Sequence, residues 1–379
     1  MSLAQKLAPA YLEDWLRDNY FTAGVDIGSS GVQNYSFAEL LALIGLTHEE
    51  LDPVMFDDGR SLGTPGLRQA IATRWGDGDP RQVMVTHGAS EAMFLVMQTL
   101  LQLGDEVVVL DPCYYPLTEI AAALGCVLKV WPLRFEHQFT PDLTVLKGLL
   151  SPQTRMVIVN FPHNPTGASL TAEQQSELLA LVTEAGAYLV WDQTFAELTY
   201  GHAPLPNPHL QYERAITLGT LSKAYGLAGL RVGWCFAPPD ILDQCAHLRD
   251  YTTVFLSPLI ELIGQRAVEH ADRLLAKRST QARANLQILL EWAVAHADLV
   301  DWVSPQGGVT AFPRFHAIDN TDALCRHLLA DGVLLVPGSC FHHARHVRIG
   351  FGGPSSSLRS GLMHLSRHLV TSASPASSQ

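Results

Sequence analysis

The sequence predicts an α/β fold. It reads as a three-layer αβα large domain around a mostly parallel seven-stranded sheet, followed by a smaller α+β domain. Three observations predict this. From about residue 55 to 255, short apolar, β-branched runs alternate with stretches of helical periodicity, the pattern of a parallel sheet covered on both faces. From about residue 256 onward the pattern changes to long helical runs and shorter strand-like pieces. At 379 residues, 47% apolar and only 16% charged, the chain buries much surface and is long for a single core.

Taken in order, residues 1–50 read as an N-terminal arm, 51–255 as the large domain and 256–379 as the small domain. In the arm, Leu12–Leu16 forms one amphipathic turn, and Asp26–Tyr35 is a small polar stretch without period, a surface loop by composition. Seven strand-like runs follow: Val83–Thr86, Glu106–Leu110, Val127–Trp131, Met156–Asn160, Tyr188–Asp192, Ala215–Leu218 and Arg231–Phe236. Helical segments at Ser90–Leu103, Pro116–Leu124 and Ala172–Ala185 lie between them. Leu259–Ala297 is one or two long helical runs. Gly308–Phe312, Gly332–Val336 and His346–Phe351 read as short strands, and Leu358–Leu369 as a closing helix. The tail Thr371–Gln379 is serine, alanine and proline and reads as frayed.

A net charge of −12 disfavours nucleic acid and anionic membranes as partners and is compatible with a cationic small-molecule substrate. The six cysteines are scattered without a CxxC pair, which reads as reduced thiols in a cytoplasmic protein. The first twenty residues mix charge into their apolar positions, unlike a signal peptide, and no apolar run approaches the ~20 residues that span a bilayer. The sixteen histidines show no HExxH or similar spacing, so no metal site is expected.

In parallel sheets ligands bind beyond the carboxyl ends of the strands, so chemistry is expected in the loops there. Thr86–Ala92 opens a helix with small residues, where free backbone N–H groups and the Ser90 hydroxyl suit an anion; an ordinary βα turn capped by Ser90 is the alternative. Asp111–Pro116 places one or two aromatic rings, Tyr114 and Tyr115, at a strand end, fit to stack on a flat heterocycle or simply to pack in a turn. In Asn160–Gly167 two prolines and a glycine aim Asn164, although Asn-Pro-Thr-Gly also serves as a plain turn. Asp192 ends an apolar strand, where it either meets a cation such as a protonated ring nitrogen or sits on the surface. Gly219–Arg231 surrounds Lys223 with small, hydroxyl and apolar residues, which lowers an amine's pKa toward that of a Schiff-base lysine. Thr220, Ser222 and Arg231 supply two hydroxyls and a guanidinium fork for a phosphate. By itself this stretch serves equally as a glycine-rich surface loop.

The order of these loops, with Asn-Pro-Thr-Gly, then the Asp, then Ser-Lys with Arg eight residues on, resembles the fold-type I pyridoxal-phosphate (PLP) enzymes of the aspartate aminotransferase superfamily, class I/II, over nearly the whole chain. The resemblance implies that Lys223 forms the Schiff base with PLP and moves the α-proton. Asp192 then pairs with the pyridine nitrogen, Asn164 with the ring oxygen, and Tyr114 stacks on the ring. Ala89, Ser90, Thr220, Ser222 and Arg231 hold the phosphate, and Arg348 grips the substrate α-carboxylate. It further implies a homodimer and an N-terminal arm that joins the small domain.

Two departures from the ordinary aminotransferase pattern stand out. Phe195 occupies the place of a tyrosine whose hydroxyl bonds the ring oxygen. Asp58 occupies the place of a tyrosine that reaches the neighbouring subunit's phosphate, where an acid calls for a cation such as a substrate side chain. With Leu12–Leu16, Ser29–Tyr35, Trp191–Phe195 and Gly307–Phe315, these features resemble a narrower group, the capreomycidine synthases and enduracididine cyclases. That resemblance, from about Leu12 to Phe351, implies cyclisation of a hydroxylated L-arginine, with Glu13, Ser29 and Asp58 contacting the guanidino side chain. Whether the hydroxyl is on the β or the γ carbon stays open. Glu13 serves equally as a solvated helix charge. The alternatives are an ordinary aminotransferase using an amino acid and 2-oxoglutarate, and a non-catalytic PLP-binding member. The intact Lys223 and the absence of a DNA-binding module speak against the last.

Overall fold

The computed structural model describes residues 6–373, so the tail read at Thr371–Gln379 lies outside it from residue 374 on; the helix Ser355–Ala373 runs through the first three residues of that stretch. Seven strands form the central sheet: β1 (Val83–His87), β2 (Glu106–Asp111), β3 (Val127–Pro132), β4 (Thr154–Asn160), β5 (Tyr188–Asp192), β6 (Ala215–Thr220) and β7 (Val232–Phe236). Their order is β1-β7-β6-β5-β4-β2-β3, all parallel except β7, which is antiparallel to both neighbours.

The central strands are apolar through their middles because both faces are covered. Val108, Val157, Val159, Leu189 and Trp191 pack into one core, under the helix Ala172–Ala185. Their alternates Val107, Val109, Met156, Ile158 and Val190 pack into another, under the helices Gly88–Leu100, Pro116–Leu124 and Pro239–Arg249. The period-2 alternation of strand side chains thus feeds two cores at once and builds the α/β/α layers.

C-terminal to the sheet lie long helices, Pro258–Glu269 and Ala271–Ala295, and a three-stranded antiparallel sheet of Thr310–Ala311, Val347–Gly350 and Val336–Pro337. Gly332–Val336, read as one strand, divides in two. Val333–Leu334 pairs in parallel with Val25–Asp26, while Val336–Pro337 pairs with Val347–Arg348. Between them the Leu335 carbonyl accepts the Trp15 indole N–H at 3.0 Å. The N-terminal segment is therefore stitched onto the C-terminal part of the chain, and the amphipathic turn at Leu12–Leu16 is a full helix, α1 (Tyr11–Asn19). The stretch Asp26–Tyr35, a surface loop by composition, is instead partly interior, with Ile27, Gly28, Ser30 and Val32 buried. Its polar backbone finds partners inside the molecule, so polarity of composition does not force it outward.

The helix expected at Ser90–Leu103 runs instead from Gly88 to Leu100, here α2. It starts earlier because the Glu91 carboxylate accepts the His87 N–H at 2.6 Å and satisfies an end that has no side-chain cap. It stops earlier because Asp105 accepts from the Gln102 N–H at 2.8 Å and opens a turn. Glu91 also pairs with the fully buried Arg249 at 3.4 Å. Burial alone raises the Glu91 carboxyl, but the bonds from His87 and Thr253 and the Arg249 charge outweigh it and bring the carboxyl down to about 2. A depressed folded-state carboxyl gives stability that is full above the unfolded value near 4.5 and lost as pH falls from there toward 2, here about 3 kcal/mol. Urea unfolding followed from pH 7 to pH 3 should show this loss in the protein and a markedly flatter dependence in Glu91→Gln. Equal slopes would refute it.

Candidate active site

The carboxyl ends of β1, β2, β4, β5 and β6, and the start of the antiparallel β7, meet at one edge of the sheet around a cavity of about 510 Å³. All nine residues read as cofactor contacts line it: Ala89, Ser90, Tyr114, Asn164, Asp192, Thr220, Ser222, Lys223 and Arg231. Arg348 and Glu13 line it too. Ser29 lines an adjoining cavity of about 810 Å³ that shares Glu13, Ser222 and Lys223 with the first. Asp58 borders neither cavity; it is exposed on the segment before Gly59.

One corner is built for an anion. The N-terminus of the 13-residue α2 opens into the cavity through Gly88, Ala89 and Ser90. Gly88 has φ of +74°, and a Cβ there would stand 2.6 Å from an Arg231 Nη atom, so only glycine lets the guanidinium lie against the helix start. Arg231 Nη2 donates to the His87 carbonyl at 3.3 Å and Nη1 to the Ala228 carbonyl at 3.2 Å. The Thr220 hydroxyl bonds Ser222 Oγ and the Val232 carbonyl, each at 2.9 Å. A guanidinium and the positive end of a helix repel unless an anion lies between them, and a phosphate is such an anion.

The carboxylate corner lies at the end of β5. Asp192 is buried, and burial raises its carboxyl against the opposing bonds from Thr194. Both Thr194 bonds, from its backbone N–H at 2.9 Å and its hydroxyl at 2.6 Å, go to the same oxygen, Oδ1. An adjacent cationic ring N–H would compensate the burial. Asn160 ends β4; its amide donates to the Asp192 carbonyl at 3.0 Å and its oxygen accepts the Asn164 N–H at 2.8 Å. One side chain therefore sets the spacing between Asp192 and Asn164.

Lys223 follows β6. Dehydration lowers its amine, the Arg348 charge lowers it further, and despite the Glu13 and Asp192 carboxylates it falls to about 8. Arg348 is 1% exposed. Its Nε and Nη2 donate to the Gly28 carbonyl at 3.1 and 2.9 Å, and its Nη1 lies 3.4 Å from Asn164 Oδ1. Among the described residues no carboxylate lies within ion-pair reach of it. Burial brings its guanidinium down to about 10. A buried cation held only by neutral oxygens is poised to take a carboxylate from a ligand. The Tyr114 hydroxyl donates to Glu13 Oε1 at 3.3 Å, and burial followed by the Glu13 charge pushes the phenol up. Phe195 lines the cavity at 3% exposure and brings no hydroxyl to it.

Sequence reasoning assigned no role to Asn160, Thr194 or Ser30. A polar residue closing an apolar strand pointed to Asn160, and Asp followed two residues on by Thr, an Asx turn, pointed to Thr194. Ser30 carried no separable signal within its run of small polar residues.

Anion corner, buried carboxylate, depressed lysine and buried unpaired arginine together fit PLP carrying an amino acid. The class I and II aminotransferase model matches residues 58–365. A capreomycidine synthase of Streptomyces vinaceus is 50% identical over 97% of this chain and 96% of its own. An arginine–pyruvate transaminase of Pseudomonas aeruginosa is 30% identical over 76% of each chain. The crystal structure of the PLP-dependent cyclase OrfR superposes with a TM-score of 0.93 at 43% identity, covering 97% of this chain and 98% of that one. The Thermus thermophilus aspartate aminotransferase with maleate, at 23% identity and a TM-score of 0.87, shares the fold. On sequence and architecture alike, the chain belongs to the class I and II aminotransferase family.

Proposed function

We propose that this protein is a PLP-dependent cyclase that converts a hydroxylated L-arginine into a cyclic guanidino amino acid of the capreomycidine or enduracididine type, in natural-product biosynthesis. The observation that carries the reading is the near full-length likeness to capreomycidine synthase, in a chain whose cavity holds the Glu13 carboxylate beside Lys223. PLP supplies, when bound, the electron sink that acidifies the α-hydrogen of the amino acid attached to it. Asp192 holds a proton on the ring nitrogen, and the cluster of Ala89, Ser90, Thr220, Ser222 and Arg231 fixes the phosphate. Arg348 orients the substrate through its α-carboxylate, and Lys223 Nζ takes the α-proton. The side-chain hydroxyl then leaves as water, carrying off the proton taken from the α-carbon, and a guanidine nitrogen bonds to the carbon that the hydroxyl vacated, giving up one proton that Lys223 Nζ returns to the α-carbon. The net change is loss of water and closure of a ring, with no oxidant and no amino-group acceptor. Glu13 accepts guanidinium N–H groups and turns that nitrogen inward. Phe195 leaves the cofactor ring oxygen without a phenol partner.

A homodimer in the cytoplasm is part of the proposal. Met55, Phe56, Tyr251 and Val254 expose apolar side chains on adjoining segments tied by the Ser61–Asp250 bond of 3.2 Å. Pairing of two copies there covers this surface and carries Asp58 toward the other subunit's cavity, next to a guanidinium. All six cysteines are free, as suits reduced thiols.

The holoenzyme incubated with β- or γ-hydroxyarginine and no keto acid should give a product one water lighter, whose ring NMR identifies. An ordinary aminotransferase, favoured by the likeness to the arginine–pyruvate transaminase, would turn over only when a keto acid is added. That outcome would replace the cyclase reading.

A further inference from the structure

We infer that Ser30 is a specificity-determining residue that hydrogen-bonds the leaving hydroxyl of the substrate. The inference rests on the cyclase reading and deepens it. Ser30 is 7% exposed, and what remains open of it lines the same cavity as Lys223 and Arg348. Its hydroxyl has no protein partner among the described residues and is not among the polar atoms sealed within the protein. An unpaired hydroxyl on a residue that is more than nine-tenths buried and lines a ligand cavity is an incomplete hydrogen bond waiting for a ligand atom.

Its place in the chain says which atom. The Gly28 carbonyl, two residues before it, is held by the Arg348 guanidinium at 2.9 and 3.1 Å. The Val32 N–H, two residues after it, donates to the Lys223 carbonyl at 3.1 Å. The Gly350 N–H donates to the Ile27 carbonyl at 2.8 Å, and a Cβ on Gly350 would collide with the Ser29 carbonyl. Residues 27–32 are therefore clamped, and Ser30 lies in the chain midway between Gly28, bonded by the arginine that holds the α-carboxylate, and Val32, bonded to the backbone of the lysine that moves the α-proton. Those two groups flank the α-carbon. What the substrate presents next is its side chain, whose polar group ahead of the guanidine is the hydroxyl. Ser30 donates to that oxygen, or accepts from it, and sets the bond that must break. A site built to bond a substrate hydroxyl rejects the analogue that lacks it, because its own polar group is then left unpaired.

The test uses the holoenzyme. Wild type and Ser30→Ala are titrated with L-arginine and with the hydroxyarginine isomer that the wild type cyclises, following cofactor absorbance for Kd and cyclic product for kcat/KM. Ser30→Ala should hold arginine within about two-fold of wild type while its kcat/KM for hydroxyarginine falls about 10- to 100-fold and its preference in Kd for the hydroxylated ligand disappears. Ser30→Thr, which keeps a hydroxyl, should recover part of both. The inference is overturned if Ser30→Ala keeps the wild-type preference, or if it loses both ligands equally, as a packing role would have it. If wild type cyclises and Ser30→Ala matches it, only the Ser30 assignment fails. If wild type cyclises neither isomer, the cyclase reading fails and takes this inference with it.

Discussion

Lys223→Ala should abolish cyclic product, with a fall of about four orders of magnitude or to below detection. Two losses combine. The variant has no amine to bond PLP, and it has no base above the α-carbon. Borohydride reduction followed by peptide mass mapping should mark Lys223 in the wild type and nothing in the variant. The acid–base behaviour provides a second readout. Burial and the Arg348 charge hold the amine near 8 rather than its ordinary 10.5, and only the neutral amine reacts. Capture of PLP by the apoenzyme should therefore speed up as pH rises through about 8 and level off above it. A capture rate that kept climbing toward the ordinary lysine range would mean that the lysine is not dehydrated as the cavity implies. Undiminished product from Lys223→Ala would remove it from the chemistry altogether.

Arg348→Ala should cost nearly as much, about 10²- to 10³-fold in kcat/KM, most of it as a raised KM. The guanidinium is buried with neutral partners only, so the substrate carboxylate completes its surroundings. Arg348→Lys keeps the charge but loses the planar fork and should recover only part of the binding. Removing the side chain also leaves the Gly28 carbonyl without its two donors, a stability loss of about 1–3 kcal/mol that a thermal melt separates from the kinetic effect. If KM is unchanged in Arg348→Ala, the carboxylate is held elsewhere.

Much of this was legible in the chain itself. The continuous apolar strands announced a sheet buried on both faces, since a run such as Val107–Val108–Val109 has no polar side to turn to water. Functional residues were readable where backbone topology places them: each strand-end loop carries its own side chain, and parallel strands bring those loops to one edge. Less legible were groups that act through another residue. The bond from Thr194 to Asp192 and the bridge from Asn160 to Asn164 depend on side-chain orientation, which periodicity does not encode.

The sequence by itself determined the α/β layering, the loop order and the Lys223 neighbourhood, because local composition and strand periodicity carry them. Only the tertiary structure decided what faces the lysine. It joined Val25–Asp26 to Val333–Leu334, clamped Ser30 between Arg348 and Lys223, brought Glu13 to Tyr114, and left Asp58 on the surface of its own subunit. These are contacts between segments some hundred to three hundred residues apart, made by folding of the whole chain and absent from any local stretch.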